Sequence, residues 1–330
     1  MKTTKRILAL LLSLVLCFAA PAAAAADRVW PTKEFKKAKA WWLSPAALNA
    51  YVWLMAKSIG DQGNSDSLLV LYQGQLVYEH YSKDNSAATR FPVYSVTKSV
   101  VSALVGIAVG EGKIKGADQK VIDFFPEAKI APGQEWKRDM TIEHLLTMTS
   151  GIVCDTEEKW ELVEGAGVKD SALAAFELPQ SNAPGKKWAY DSAAPTILLG
   201  IVQRATGRDV LSYAKEKLFG PLGVTSVQWS ATPGGLPRGG SGIQMTARDM
   251  ARFGYLYLNN GRWEDQQIIP ASWVAQTPPK SHRPRAYGYL FWRNHLDALG
   301  SSYGALGYQG QYIWIAPAQD IVLVRTSLGK

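Results

Sequence analysis

The sequence predicts an α/β fold of the α+β kind, an antiparallel sheet flanked by helices and joined to a mainly helical lobe. Three observations point there: β-rich runs near the start, a long middle of helical segments, and a return to strands near the end. That order describes a sheet lobe interrupted by helices, not a series of alternating βαβ units. The sheet lobe is expected over about 27–92 and 277–330 and the helical lobe over about 93–276, within one domain spanning 27–330.

Taken in order, residues 1–26 read "MKTTKRILALLLSLVLCFAAPAAAAA". Lys2, Lys5 and Arg6 precede an apolar run that ends in alanines offering A-x-A sites before Asp27, the pattern of a secretory signal. The apolar core is short, breaks at Pro21 and is followed by no stop-transfer segment, so it is not read as an anchor. Leu16 stands before Cys17 where a lipoprotein signal carries a small residue, so lipidation is not expected. Cleavage would place the protein in the periplasm or outside the cell, with Cys154 as its one cysteine and no internal disulfide. The remaining chain has no second apolar segment long enough to span a bilayer. The full sequence, at 47% hydrophobic residues, suits one large domain or two intimately joined lobes.

"LLVLYQGQLVYEHY" (Leu68 to Tyr81) gives two β-rich runs around Gln73-Gly74, a hairpin signal. "RFPVY" is strand-like, and from Ser95 to about Ile107 the pattern turns helical. Helical segments with Gly and Pro punctuation then dominate to about Gln276, among them "TIEHLLTMTSG", "APTILLGIVQRATG" and "TARDMARFGYLYLNNG". "GQYIWIAP" and "DIVLVRTS", joined at Ala318-Gln319, read as a closing hairpin.

Several function classes are excluded early. The net charge of +8 is spread in small clusters such as "EFKKAKA" and "KSHRPR" with no aromatic-basic motif, so no nucleic-acid partner is expected. The four histidines, His80, His144, His282 and His295, lack paired ligand spacing, and no phosphate- or dinucleotide-binding glycine motif occurs. A G-x-S-x-G match at Gly300–Gly304 would make Ser302 the nucleophile of an α/β-hydrolase. That fold needs a histidine after the serine, and all four precede it.

The chemistry concentrates in three stretches. S-x-x-K occurs at Ser95/Lys98, Ser212/Lys215 and Ser327/Lys330. Ser212 lies in an amphipathic helix and Ser327 near the last residue, whereas Ser95 follows a strand-like segment and opens an apolar helix, "VTKSVVSALVGIAV". Residues i and i+3 share a helix face, so Lys98 can reach the Ser95 hydroxyl. Free N–H groups at the helix start point toward any oxyanion formed there. A desolvated lysine can lose its proton and serve as base. Alone, the stretch fits a plain helix N-cap equally well.

In "PGKKWAYDSAAPTILLG" a turn at Tyr190-Asp191-Ser192 precedes another apolar helix. Nearby ammonium groups would lower the phenol of Tyr190 enough for acid/base work; the plainer alternative is a packed tyrosine with Ser192 as helix cap. In "GALGYQGQYIWIAP" glycines run into an apolar strand. Backbone can approach a ligand closely there, and a strand-edge N–H could serve as an oxyanion donor.

In order, spacing and setting the three stretches resemble the penicillin-recognising serine hydrolases, whose pattern is S-x-x-K, then a Y-x-N-like turn, then a glycine-flanked edge strand. "TIEHLLTMTSGI", "GGSGIQMTARDMARFGYLYLNNGRW" and "IIPASWV" look like the helical lobe of the class C branch. The form G-Y-Q-G-Q followed by Y-I-W-I-A-P is most similar to the 6-aminohexanoate-dimer hydrolase group with its esterase and amidase relatives. The resemblance implies a β-lactamase/transpeptidase-like fold, with Ser95 acylated, Lys98 as its base and Tyr190 carrying the proton to and from the leaving group. The N–H groups of Ser95 and Tyr308 would form the oxyanion hole, Gln311 replacing Tyr308 in a shifted register, and Ser192, Gly307, Gln309 and Gly310 are expected to line the substrate site. It implies a small-molecule amide or ester substrate and no metal or cofactor. Ester and amide are not separated, because both pass through the same tetrahedral oxyanion.

Two departures stand out. Where β-lactamases and transpeptidases carry K-T-G or H-T-G, Ala305-Leu306-Gly307 or Tyr308-Gln309-Gly310 offers no cation to receive a substrate carboxylate. Efficient β-lactam hydrolysis is therefore not expected; a β-lactamase, a D-alanyl-D-alanine carboxypeptidase, and a catalytically weak binding or sensor module on the same fold stand as alternatives to the amide or ester hydrolase. The sequence also ends at Lys330, just after a strand, where the resemblance implies a further packing helix. Most of the twelve tryptophans read as core or lobe-packing residues; Trp160, Trp188 and Trp314 fall near the motifs and at most favour a neutral, rather apolar substrate group.

Overall fold

A computed structural model of the chain describes residues 28–38, 65–82, 84–152, 154, 156–277, 287–293 and 302–328. The expected signal at 1–26, with Cys17, lies outside them, as do Gly300, Ser301, His282, His295, Lys330 and the "KSHRPR" cluster. The strands are β1 (Ser67–Tyr72), β2 (Gln75–Tyr81), β3 (Arg90–Pro92), β4 (Gln228–Trp229), β5 (Ile243–Thr246), β6 (Arg262–Trp263), β7 (Gln266–Gln267), β8 (Tyr287–Gly288), β9 (Phe291–Arg293), β10 (Tyr303–Gly307), β11 (Gln311–Ala316) and β12 (Ile321–Thr326). The α-helices are α1 (Val96–Gly110), α2 (Ile142–Leu146), α3 (Glu157–Glu164), α4 (Ser171–Glu177), α5 (Ala193–Thr206), α6 (Val210–Ala214), α7 (Ala247–Leu258) and α8 (Ala271–Val274).

The main sheet has the order β2-β1-β12-β11-β10-β9-β8, and its strand pairs are antiparallel. Both expected hairpins are present. Gln73 and Gly74 take φ of 52° and 77°, the two positive values of a type I′ turn, which matches the strand twist. A 3-10 turn at Pro317–Gln319, with Asp320 in the left-handed region, returns β11 into β12. β12 then inserts between β11 and β1, pairing Ser67 with Thr326, so the two ends of the described chain close one sheet. β11 and β12 are buried at every position, and their apolar runs, Tyr312 to Ala316 and Ile321 to Val324, are flanked by buried Gln311, Arg325 and Thr326.

α7 packs on β1, β11 and β12. A Cβ added at Gly254 of this helix would stand 2.6 Å from Ile313 and from Val322, so glycine permits the close approach. α1 packs against α5 and β10 and is buried around its whole circumference from Val96 to Ala108, as expected of a helix apolar on all sides. Burial of each large residue on it, such as Val100, Val101 and Leu104, stabilises the fold by about 1.5–3 kcal/mol.

The middle of the chain is less purely helical than its sequence predicts. It contributes a three-stranded sheet, β3-β5-β4, and a hairpin of β6 and β7, elements too short to show a two-residue period. Its helix α7 belongs to the sheet layer. Ser212 sits in α6 with its N–H bonded to Asp209 Oδ1, an ordinary helix cap. His144 closes a capping box with Thr141. Among the described residues no helix is long and apolar enough to cross a membrane.

Candidate active site

Ser95 stands at the N-cap of α1, but its side chain makes no capping bond. Its Oγ accepts instead from Lys98 Nζ at 3.0 Å, one helical turn on and on the same face. That geometry removes the plain-cap alternative. The residue before it, Tyr94, holds φ at 46°, a left-handed conformation that costs a non-glycine residue about 1–3 kcal/mol. Its hydroxyl donates to Gln309 Oε1 at 3.0 Å, and its ring meets Tyr308 edge-on at 5.6 Å. These contacts tie the Ser95 turn to the turn after β10.

Lys98 is 1% exposed. Its ammonium nitrogen donates to the carbonyl of Gly240 at 2.7 Å and lies 5.0 Å from the centre of the Tyr190 ring. Burial pulls the amine down to about 7, and the charge of Asp191 opposes the shift. A neutral lysine is therefore accessible near neutral pH.

Tyr190, Asp191 and Ser192 form the turn that opens α5, as the sequence predicts. The capping side chain is Asp191, not Ser192: its Oδ1 accepts from Ala193 N at 2.6 Å and Ala194 N at 2.9 Å, while Ser192 makes no cap bond. Burial raises the Asp191 carboxyl to about 6, against the two helix N–H groups and Lys98. Its Oδ2 has no hydrogen-bond partner among the described residues. Ser192 packs against Gly240, where an added Cβ would fall 2.4 Å from the Ser192 Cβ.

The expectation that ammonium groups lower the Tyr190 phenol is corrected by its surroundings. Tyr190 keeps 37% of its surface exposed, yet the packing around its hydroxyl pushes the phenol up to about 12; hydrogen bonding with Ser95 opposes this and Asp191 adds to it. The ammonium over its ring is Lys98, whose own pKa burial pulls down to about 7. Tyr190 is thus a protonated phenol at neutral pH. Around it Trp188, Tyr287 and Trp292 form an aromatic cluster, with ring centres 5.5 Å from Tyr190 to Trp292 and 4.6 Å from Tyr287 to Trp292.

The glycine cluster reaches the same place. A Cβ at Gly307 would meet Val93 O at 2.3 Å and Ser95 N at 3.3 Å, so only glycine lets the end of β10 press against the Ser95 backbone. Tyr308 follows, 71% exposed, in a 3-10 turn, with Gln309 at a φ of 59°. Gln311 is fully buried, pairs with Gly307 in the ladder and bonds Ser327 through its side chain, whereas the Tyr308 ring meets Tyr94, the residue before Ser95. Gly310 turns the chain into β11, and its carbonyl accepts from Arg325. The strand is not an edge along its whole length: β9 pairs it at Tyr303 and Gly304, leaving no β9 partner from Ala305 to Gly307.

Within this frame the match to known proteins is direct. The family model described as Beta-lactamase matches residues 56–328. The chain belongs to the beta-lactamase family. A 6-aminohexanoate-dimer hydrolase of Paenarthrobacter ureafaciens is 25% identical over 289 residues, 80% of this chain and 72% of that protein. A solved Bacillus anthracis protein, named as a candidate 6-aminohexanoate-dimer hydrolase, superposes with a TM-score of 0.74 at 20% identity, covering 94% of this chain and 85% of that one. A penicillin-binding protein homologue from Caulobacter crescentus gives a TM-score of 0.66 at 16% identity over 84% of this chain and 91% of its own. This member of the family therefore has the β-lactamase/transpeptidase-like architecture, and its sequence likeness runs toward the 6-aminohexanoate-dimer hydrolases.

Sequence reasoning missed Tyr94, Asp191 as a charged neighbour, Gly240, Tyr287 and Trp292. The glycine pair in "RGGSG" was the one available signal for Gly240. Trp314 lies in β11 opposite Gly304, and Trp160 packs at the edge of the core, so of the tryptophans singled out only Trp188 joins the aromatic cluster at Tyr190.

Proposed function

We propose that this protein is an exported serine hydrolase that cleaves a small-molecule amide or ester through an acyl-enzyme on Ser95. The observation that carries the reading is the 3.0 Å contact between a buried Lys98 and the Ser95 hydroxyl. With burial pulling the amine down to about 7, its neutral form is available near neutral pH. Neutral Lys98 takes the Ser95 proton as Oγ attacks the substrate carbonyl. The oxyanion is received by the N–H groups of Ser95 and Tyr308. The bond to the leaving group then breaks as Tyr190 hands over its phenolic proton, which the Lys98 ammonium replaces. Water resolves the acyl-enzyme by the reverse proton path.

Ala305 and Leu306 stand where a substrate carboxylate would need a cation, which favours a neutral substrate over a β-lactam. The 6-aminohexanoate-dimer hydrolase relative supports an amide, and the site chemistry serves an ester equally. The test is p-nitrophenyl acetate and an N-acyl anilide with the wild-type protein and Ser95→Ala. The reading expects Ser95→Ala to lower kcat/KM by roughly a thousandfold or more; equal turnover by the two proteins would overturn it. Covalent labelling of wild-type Ser95 without turnover would instead make the protein a binding or sensor module.

A further inference from the structure

A cavity of about 400 Å³ opens beside the Ser95 turn, within the size range of small-ligand sites. Its floor is the small sheet of β3, β5 and β4. Tyr94 and Ser241 also line it, and these are the residues next to Ser95 and to Gly240, the carbonyl that holds Lys98. The cavity is fixed to the site because Val93 N bonds Ile243 O at 2.9 Å and Ile243 N bonds Thr97 Oγ1 at 3.3 Å. Gln228 and Gln244 are direct cross-strand partners on β4 and β5, and both line the cavity with Ser230 and Trp229. Apart from the phenol of Tyr94, no ionisable side chain among the described residues lines it.

Resting on the reading of Ser95 as nucleophile and Tyr190 as proton donor, the two ends of a substrate can be told apart. The leaving group must meet Tyr190, and so it lies along Trp188 and Trp292. The acyl arm lies on the other side of the reacting carbonyl, and the neighbouring cavity is lined by Tyr94 and Ser241, the residues next to Ser95 and Gly240. We propose that the Gln228/Gln244 cavity is the acyl-arm subsite and selects a neutral chain bearing an amide. Two primary amides supply both donors and acceptors to such a group, and the Trp229 ring supplies apolar contact. A carboxylate or ammonium entering the same cavity would lose water without a counter-charge.

The experiment uses three p-nitrophenyl esters of similar length and shape: the adipamate with a terminal carboxamide, the hemi-adipate with a terminal carboxylate, and the 6-methylheptanoate with a terminal isopropyl group. Because the leaving group is constant, ratios of kcat/KM report the acyl arm alone. The wild-type protein is expected to prefer adipamate over hemi-adipate by about tenfold or more. Gln228→Ala and Gln244→Ala should each lower the adipamate to 6-methylheptanoate ratio several-fold, and Gln244→Lys should raise hemi-adipate relative to adipamate. Equal use of the three esters by the wild-type protein, or ratios that the three variants leave unmoved, would overturn the subsite. Turnover that survives in Ser95→Ala would overturn the nucleophile instead, so the two failures are distinct.

Discussion

Lys98 donates to the carbonyl oxygen of Gly240 across 2.7 Å and 142 residues of chain. The same nitrogen reaches Ser95 Oγ, so the buried amine is positioned from two sides and needs no carboxylate in direct contact. This arrangement fixes the lysine against the serine while burial keeps its proton labile.

Gly240 has no room for a side chain, since a Cβ there meets Ser192 at 2.4 Å. Gly240→Ala is expected to shift the carbonyl that holds Lys98 and to lower kcat/KM by about tenfold to a hundredfold, along with a lowered melting temperature from the overpacking, which costs about 1–3 kcal/mol. Steady-state kinetics beside a thermal melt checks it; a fall in stability with unchanged kcat/KM would show that the carbonyl does not position Lys98.

The pH profile follows from the Lys98 amine. Its protonated form cannot accept the Ser95 proton, so kcat/KM should rise with pH through about 7. The Asp191 carboxylate favours the ammonium and raises its pKa against the effect of burial. Asp191→Asn keeps an oxygen for the Ala193 and Ala194 N–H groups but removes the charge, so the acid limb should move to lower pH. A limb that stays in place or moves upward would contradict the coupling.

In the proposed mechanism Tyr190, held as a protonated phenol near 12, gives a proton to the leaving group. p-Nitrophenolate needs none and an amine does. Tyr190→Phe should therefore depress anilide or amide turnover by about a hundredfold or more and acylation by a p-nitrophenyl ester much less. Pre-steady-state bursts compare the two, and equal losses would assign Tyr190 a different task.

α1 carries both Ser95 and Lys98, and its stability rests on packing. Leu104 is fully buried in it, and Leu104→Ala is expected to cost about 2–5 kcal/mol. Urea unfolding of the variant measures this directly.

Much of this architecture was legible in the sequence because it rests on local rules. Gln73-Gly74 marked a hairpin, the apolar run after Ser95 marked α1, and the four-residue span from Ser95 to Lys98 placed both on one face. The Tyr190 turn was equally local. What escaped was non-local. A main-chain carbonyl such as Gly240 O has no residue signature, and strands of two to four residues like β4 and β5 have no visible period. Asp191 and Ser192 are both plausible caps by type, and only the folded turn shows which oxygen meets the helix N–H groups. The direction of the Tyr190 shift depended on burial, which the spacing of Lys98 and Tyr190 along the chain does not reveal. Trp292 and Tyr287 join the Tyr190 cluster through strand pairing between β8 and β9.

The central claim is that Ser95 is the residue that becomes acylated. Peptide-mapped mass spectrometry of the protein after incubation with a fluorophosphonate tests it most directly. The account predicts one adduct, on the peptide carrying Ser95, and its loss in Ser95→Ala and marked slowing in Lys98→Ala. An adduct on another residue, or none on Ser95 while ester turnover proceeds, would contradict it.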